Sequence, residues 1–256
     1  MPYPNFESKQ KHESIVNPKG LLKYLERIGG CPQFQALAGG ILCYQKGLIQ
    51  YVLENHKTTR VDIPGAEMYL LDETDQQVAI ASRFGIGAPA AAIVLEYLIA
   101  SGVPRFLSIG TAGALQKDLS IGDVVVCDRA IRDEGTSHHY LEPSKFSYAS
   151  DQFTERTKRS LDHLQTSYTV GASWTADAPY RETVAEVKRY QEEGILTVEM
   201  EAAALFAIAE YRNVQMGSIL TISDTLADLT WNPQFHHSDT HAGLENLYRA
   251  AVDALT

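Results

Sequence analysis

The run VEMEAA sets Glu199 and Glu201 on either side of Met200, and the apolar run GSILTISD ends on a further carboxylate, Asp224. Burying a carboxylate is costly unless hydrogen bonds or a ligand satisfy it. Acids in apolar strand-to-helix junctions are therefore the first candidates for holding a ligand's donors or for moving a proton. Two of them also have an ordinary structural role open to them. Glu199 can cap the helix that begins at Ala202, and Asp224 can cap a turn in SDTLAD.

Two glycine-rich stretches could hold an anion. In GIGAPA, Gly85 and Gly87 stand just before a helix, where backbone N–H groups and the positive helix end can face negative charge. In GTAG, Gly110 and Gly113 end a strand, the place where open α/β sheets bind ligands. Close packing would ask for the same glycines. Trp174, Tyr180 and Arg181 in SWTADAPYRET offer faces suited to a flat heterocycle, with core packing the alternative for Trp174. The run HHSDTH puts His237 and His241 one helical turn apart, beside His236 and Asp239, without a metal-binding pattern such as HExxH. It reads as a helix start capped by Ser238 or Asp239, and no metal is expected.

The elements that must position these residues alternate. GLLKYLERI and LIQYVLENH have helical spacing on either side of a short apolar strand, GGILCYQ. EMYLLDE and QVAIASRFG read as two strands joined by a polar turn at residues 73–76, followed by an Ala-rich helix that Gly102 ends. FLSIGTAG reads as a buried strand opening into a glycine loop, and IGDVVVCDRAI as another strand. Residues 132–150 form a long irregular stretch with two histidines, which suits a substrate-covering loop. DQFTERTKRSLDHLQ, RETVAEVKRYQEEG, AAALFAIAEYR and HAGLENLYRAAVDAL are helical, and TVGASW, ILTVEM and MGSILTISD are strands. This alternation predicts an α/β architecture with no internal repeat.

Length and composition bound the rest. A chain of 256 residues, 45% hydrophobic and 21% charged, fits one globular domain spanning residues 1–256. A net charge of −10 argues against a nucleic-acid or anionic-membrane partner, because those surfaces call for clustered Lys and Arg. Cys31, Cys43 and Cys127 show neither a disulfide framework nor a zinc spacing, which fits a reducing, cytoplasmic compartment. Neither a signal peptide nor a membrane-spanning run is visible.

VEMEAA followed by ISD resembles the signature of the nucleoside phosphorylase / uridine phosphorylase family, whose members cut the N-glycosidic bond of nucleosides. The likeness extends through FGIGAPAAAIVLEYLIASGV, FLSIGTAGALQKDLSIGDVVV, GASWTADAPY and GILTVEMEAAALFAIAE, roughly residues 80–228. It implies a single-domain α/β fold with a central mixed, twisted, partly barrel-like sheet flanked by helices. It also implies a pentosyltransferase of nucleotide salvage, with phosphate as co-substrate and no further cofactor. The partners implied are a nucleoside, phosphate and further copies of the chain, as dimers assembled into a hexamer.

By the same resemblance, Glu201, Met200 and Glu199 hold the ribose, with His12 reaching the ribose of a neighbouring subunit. Glu201 would also stabilise the oxocarbenium-like sugar, and Met200 would give it an adaptable apolar surface. Trp174, Tyr180, Arg181 and Val198 take the base. Gly87, Ser108 and Thr111 take the phosphate. Asp224 protonates purine N7 as the base leaves, and so favours a purine. Three departures qualify this. Ser108 stands where the family usually has an Arg, which costs the phosphate its bidentate partner. The N-terminal GDPxR motif is replaced by ILCYQKGL, so that Lys46, Arg60 or Arg83 supplies the cation or water replaces phosphate as nucleophile. His237 stands where the bacterial purine branch has an Arg supporting the Asp. DEGTSHHY resembles the loop of the uridine branch, which keeps uridine phosphorylase as an alternative beside a purine nucleosidase.

Overall fold

The structure is a computed structural model that describes residues 4–32 and 34–256. Its organising strand is β5 (Arg105–Ala114), buried along most of its length. One edge of β5 pairs in parallel with β10 (Gln215–Thr225) from end to end. β10 then pairs antiparallel with β6 (Val124–Asp133), and β6 in parallel with β8 (Tyr168–Ala176). β8 pairs in parallel with β9 (Thr197–Glu199), which returns antiparallel to β5. These five strands close a ring, which removes two sheet edges.

The other half of the sheet grows from the same strand. β1 (Gly39–Cys43) pairs in parallel with the first half of β5 and with β4 (Val78–Ser82). β3 (Ala66–Leu71) and β2 (Thr58–Ile63) extend it antiparallel. β7 (Phe146–Tyr148) pairs with β6, and β11 (Asn232–Pro233) with β10. The result is the mixed, partly barrel-like α/β sheet that the sequence implies. β2 escaped the sequence reading because all but its last residue are partly or fully exposed at the sheet edge, so it lacks an apolar alternation.

Two Ala-rich helices pack side by side against the barrel. Every residue from Ala202 to Ala209 of α6 (Ala202–Arg212) is buried, so this helix is apolar all round, as an interior helix must be. Its neighbour α3 (Ala88–Ala100) is held to it by Arg212, whose Nε and Nη2 donate to Glu96 at 2.8 and 2.7 Å. α7 (Ser238–Leu255) covers β5 and β10 from the other side, and α4 (Asp151–His163) lies against it. α1 (Pro18–Arg27) is capped by the Asn17 side chain, and α5 (Val184–Glu192) by a reciprocal Thr183–Glu186 capping box. α2 (Lys46–Asn55) follows β1 directly. None of the described helices is long and apolar enough to cross a membrane.

Two sequence expectations change here. The GTAG glycines lie inside β5 instead of forming a loop, because β10 pairs with every one of them. Residues 132–150 do not cover a cavity. Buried Arg132 gathers that stretch inward by donating to Ser137 Oγ, Ser144 Oγ and the carbonyls of Leu141 and Glu142, and β7 packs on α6.

Helix α7 approaches β10 closely at Gly243, where a Cβ would stand 2.0 Å from Thr221 Oγ1 and 3.1 Å from the Gly122 carbonyl. Gly243→Ala is therefore expected to destabilise the fold by about 1–3 kcal/mol through overpacking, despite alanine's better helix propensity. Urea unfolding checks this. An unchanged or raised midpoint would mean that α7 does not sit this close.

Candidate active site

The cavity opens where one edge of β5 changes partner. β1 pairs with Phe106 to Ile109 and β9 pairs with Gly113 and Ala114, leaving Gly110, Thr111 and Ala112 without a neighbouring strand on that side. All three line a cavity of about 450 Å³, within the roughly 300–1,000 Å³ usual for small-molecule sites. A Cβ on Gly110 would crowd the Tyr44 ring at 3.2 Å. A Cβ on Gly113 would meet Asp224 Oδ2 at 3.0 Å and Leu226 at 2.7 Å.

Two helices begin at this cavity. Gly87 is the N-cap of α3 at φ +93°, a conformation that L side chains rarely adopt, and its N–H donates to Glu201 Oε1 at 2.5 Å. Glu201 is itself the N-cap residue of α6. Glu199 lies two residues before it, at the end of β9, and accepts at Oε2 from the Glu201 and Ala202 N–H groups, each at 2.7 Å. Its other oxygen accepts from Thr175 and Ser173 hydroxyls. The Glu199 side chain thus caps the start of the helix whose N-cap position Glu201 occupies, as its place in the sequence suggested, and also lines the cavity.

The two glutamates differ in what satisfies them. Both are pushed up from the usual carboxylate range by burial, but Glu199 has several donors opposing the shift. Glu201 has fewer. Burial first and the neighbouring Glu199 second raise it to about 8. Burial likewise raises the Tyr44 phenol well above its ordinary value, with both glutamates adding to the effect. Tyr44 therefore remains neutral and shares a 2.9 Å hydrogen bond with Ser108 Oγ. Next to it, Gln45 Nε2 donates to Thr111 Oγ1 at 3.0 Å.

The opposite end is built by an irregularity in β10. Pairing with β5 slips between Ile222 and Asp224, so that Ser223 is an extra residue and Asp224 is re-aimed. Ser223 Oγ donates to Asp224 Oδ1 at 2.8 Å, and Trp231 Nε1 donates to Oδ2 at 2.9 Å. Glu182 lines the same end, and burial, then Asp224, then Glu186 raise it to about 7. Tyr180, Trp231 and Phe235 add aromatic surface.

The structure thus brings together Glu199, Met200, Glu201, Ser108, Thr111, Val198, Tyr180 and Asp224. Gly87 adjoins them through Glu201 and lies 3.9 Å from the Met200 methyl, measured from where its Cβ would be. Other expected residues stand elsewhere. Trp174 is 1% exposed, packs on Tyr190 and donates to Asp133, so it takes the core role and not the base-stacking one. Arg83 projects to the surface and pairs with Glu67 at 3.2 Å, where Arg60 also binds. Lys46 is exposed at the start of α2, Arg181 is exposed, and His12 packs on Phe6 away from this cavity. Among the described residues no Lys or Arg lines it, against four carboxylates. His237 Nδ1 caps α7 by accepting from the Asp239 N–H, and no described cluster of His, Cys, Asp and Glu could hold a metal ion.

Tyr44, Gln45, Glu182, Trp231 and Phe235 were missed. ILCYQKGL was read only for its missing arginine and for Lys46, and TWNPQF follows no motif. The tryptophan after ISD was a usable signal, since an indole N–H needs a partner when partly buried.

A family model for the phosphorylase superfamily matches residues 41–256. Guanosine phosphorylase of Halorubrum lacusprofundi is 39% identical over 145 residues, covering 56% of this chain and 59% of that protein. The DeoD-type purine nucleoside phosphorylase of Bacillus cytotoxicus is 33% identical over 147 residues, covering 55% of this chain and 60% of that protein. The chain therefore spans about 60% of the length of these curated relatives. Purine nucleoside phosphorylase from Toxoplasma gondii, solved in complex with immucillin-H, matches with a TM-score of 0.75 at 19% identity, over 86% of this chain and 90% of that one. This last likeness is one of fold.

Glu201 makes a stability prediction with a definite sign. It ionises near its ordinary 4.5 in the unfolded chain but only near 8 in the folded one. Between those values the unfolded chain has released a proton that the native chain keeps, so stability falls as pH rises. Glu201→Gln removes this loss. Its melting temperature should match that of the wild type near pH 5 and exceed it at pH 8.5, at about 2–4 °C per kcal/mol for a chain of this size. A gap that is the same at both pH values would contradict the assignment.

Proposed function

The chain belongs to the phosphorylase superfamily, and from that premise we propose that it is a nucleoside phosphorylase acting on purine nucleosides. One observation carries the reading. Glu201 with Met200, and Asp224 with its aromatic surroundings, lie at two ends of one cavity whose floor is the unpaired stretch of β5. Glu201 would take the ribose 2′- and 3′-hydroxyls, with Met200 under the ring. Val198, Tyr180, Trp231 and Phe235 would flank the base. Phosphate would lie near Ser108, Thr111 and the N-terminal end of α3, where the helix favours negative charge.

In this reaction a phosphate oxygen forms a bond to C1′ as the C1′–N9 bond breaks. The bonding pair leaves with the base, and Asp224 delivers a proton to N7, so that the base departs neutral. Glu201 faces the positive charge that develops on the sugar. The products are ribose 1-phosphate and a free purine. Because no cation of the described chain lines the cavity, we assign the phosphate's counter-charge to a neighbouring copy in a homo-oligomer, together with His12 of that copy. Cys43 and Cys127 are free thiols, and we place the protein in a reducing, cytoplasmic compartment.

A cavity with four carboxylates and no Lys or Arg also favours a second reading, a nucleosidase in which water takes the place of phosphate. The uridine reading loses its support, since the DEGTSHHY segment folds on itself. Glu134 accepts from the N–H groups of Thr136 and Ser137, and no residue of the segment lines the cavity.

Base release from guanosine, inosine, adenosine and uridine, with and without phosphate, tests both readings. We expect purine release that needs phosphate and yields ribose 1-phosphate. Free ribose formed at the same rate without phosphate would establish the nucleosidase. In the same assay Asp224→Ala should lower purine cleavage by about 10²-fold or more, and Glu201→Gln should lower kcat/KM for every nucleoside by a similar factor. Near-normal turnover in either folded variant would remove that residue from the mechanism.

A further inference from the structure

We infer that Gln45 is a positioning residue for the nucleophilic phosphate: by donating to Thr111 Oγ1 it leaves the Thr111 hydroxyl to act as a donor toward a phosphate oxygen. This rests on the phosphorolytic reading above, and it assigns a role within a segment, ILCYQKGL, where the chain departs from GDPxR.

The geometry begins with what fixes Gln45. It stands between β1 and α2, as the N-cap residue of that helix. Its carbonyl accepts from the Ile49 N–H at 3.2 Å, while its side chain makes no capping bond. The side chain reaches across to β5 instead, where Nε2 donates to Thr111 Oγ1 at 3.0 Å. It passes Gly110 on the way, since a Cβ there would stand 3.8 Å from Gln45 Oε1. That oxygen is buried and has no hydrogen-bond partner.

Packing alone does not account for such a side chain. An unpaired buried carbonyl is a cost to folding, and leucine would fill much the same space without it. What the amide contributes is direction. A hydroxyl has one proton to give. Because Gln45 Nε2 donates to Thr111 Oγ1, that proton is left for another acceptor, and among the described residues none takes it. Thr111 lies in the stretch of β5 that neither β1 nor β9 pairs, partly exposed and lining the cavity, so its proton has the cavity to point into. Ser108 does not duplicate it. Its hydroxyl is shared with Tyr44, and the residue is 2% exposed. With no Lys or Arg among the described residues lining the cavity, an oriented neutral donor carries a larger share of anion recognition than it would beside a guanidinium. A dipole set before the ligand arrives needs no reorganisation when it binds.

The test compares the wild type, Gln45→Leu, Thr111→Val and the double variant in phosphorolysis of a purine nucleoside. In Gln45→Leu the KM for phosphate should rise by about 10-fold, with kcat and the nucleoside KM little changed, as for a contact made equally in ground and transition states. Its urea midpoint should equal or exceed that of the wild type, because the unpaired oxygen is gone. In the Thr111→Val background the same substitution should add nothing, since Gln45 acts only through that hydroxyl. Gln45→Glu is the conservative variant. Protonated, its carboxyl can donate to Thr111 Oγ1 as the amide does; ionised, it only accepts and takes the Thr111 proton for itself. The ratio of its phosphate KM to that of the wild type should therefore fall toward one as pH is lowered. Additive losses in the double variant, or an unchanged phosphate KM in folded Gln45→Leu, overturn the assignment. Binding separates it from the parent reading. Inorganic phosphate without nucleoside should raise the melting temperature of the wild type at concentrations about 10-fold below those Gln45→Leu needs. If that pattern holds but phosphate releases no base, the reaction is wrong and the positioning role stands. If phosphate protects both proteins equally, or neither, Gln45 does not position the anion.

Discussion

The site depends on a constraint of strand pairing: β5 has to serve three partners with two edges. β10 takes one edge whole, while β1 and β9 divide the other, and the residues between them cannot be paired by either. A strand with exposed hydrogen-bonding groups in the protein interior has to be covered or used. Here the gap becomes the floor of the cavity. The barrel could not close through β9, nor the outer sheet attach through β1, without opening it.

The acids around this gap show how the protein buries carboxyl groups without counter-ions. Glu199 is enclosed by two backbone N–H groups and two hydroxyls, and its position fixes the first turn of α6. Glu201 is held by the Gly87 N–H and left with unused capacity. The difference between a structural acid and a functional one thus lies in how many donors the fold supplies. The ion pair between Glu96 and Arg212 keeps α3 and α6 in register farther along, so Gly87 and Glu201 meet at the start of both helices. Small residues on α6 make that approach possible, which ties an alanine-rich sequence to the geometry of the site.

Local motifs made much of this legible. VEMEAA announced a strand, a helix start and two acids, and GIGAPA announced a glycine-capped helix; both are properties of short segments. The readings that failed depended on pairing between distant segments. GTAG has the composition of a loop, but β10 supplies a continuous partner and makes it strand. Trp174 has the chemistry of a base platform, but β6, α5 and Tyr190 enclose it. Arg83 lies next to the right loop in sequence, yet at φ 59° it turns outward to Glu67. The irregular stretch after Arg132 looked like a lid until the guanidinium drew it into the body of the protein. No periodicity announces such long-range choices, and the fold closes by making them.

The aspartate end shows how one departure is compensated by others. An arginine beside Asp224 would neutralise it and fix its direction at once. This chain has His237 at that place in sequence, used instead to cap α7. Direction comes from two neutral donors, Ser223 Oγ and Trp231 Nε1, one on each oxygen. The bulge at Ser223 aims the group and the indole holds it. In place of a cation another acid, Glu182, interacts with it. Such a pair favours keeping a proton in the cavity and welcomes a ligand rich in N–H donors. The two roles proposed for this end, supplying a proton and taking up a base, would therefore follow from one electrostatic choice, the absence of positive side chains among the described residues that line a buried acidic pocket.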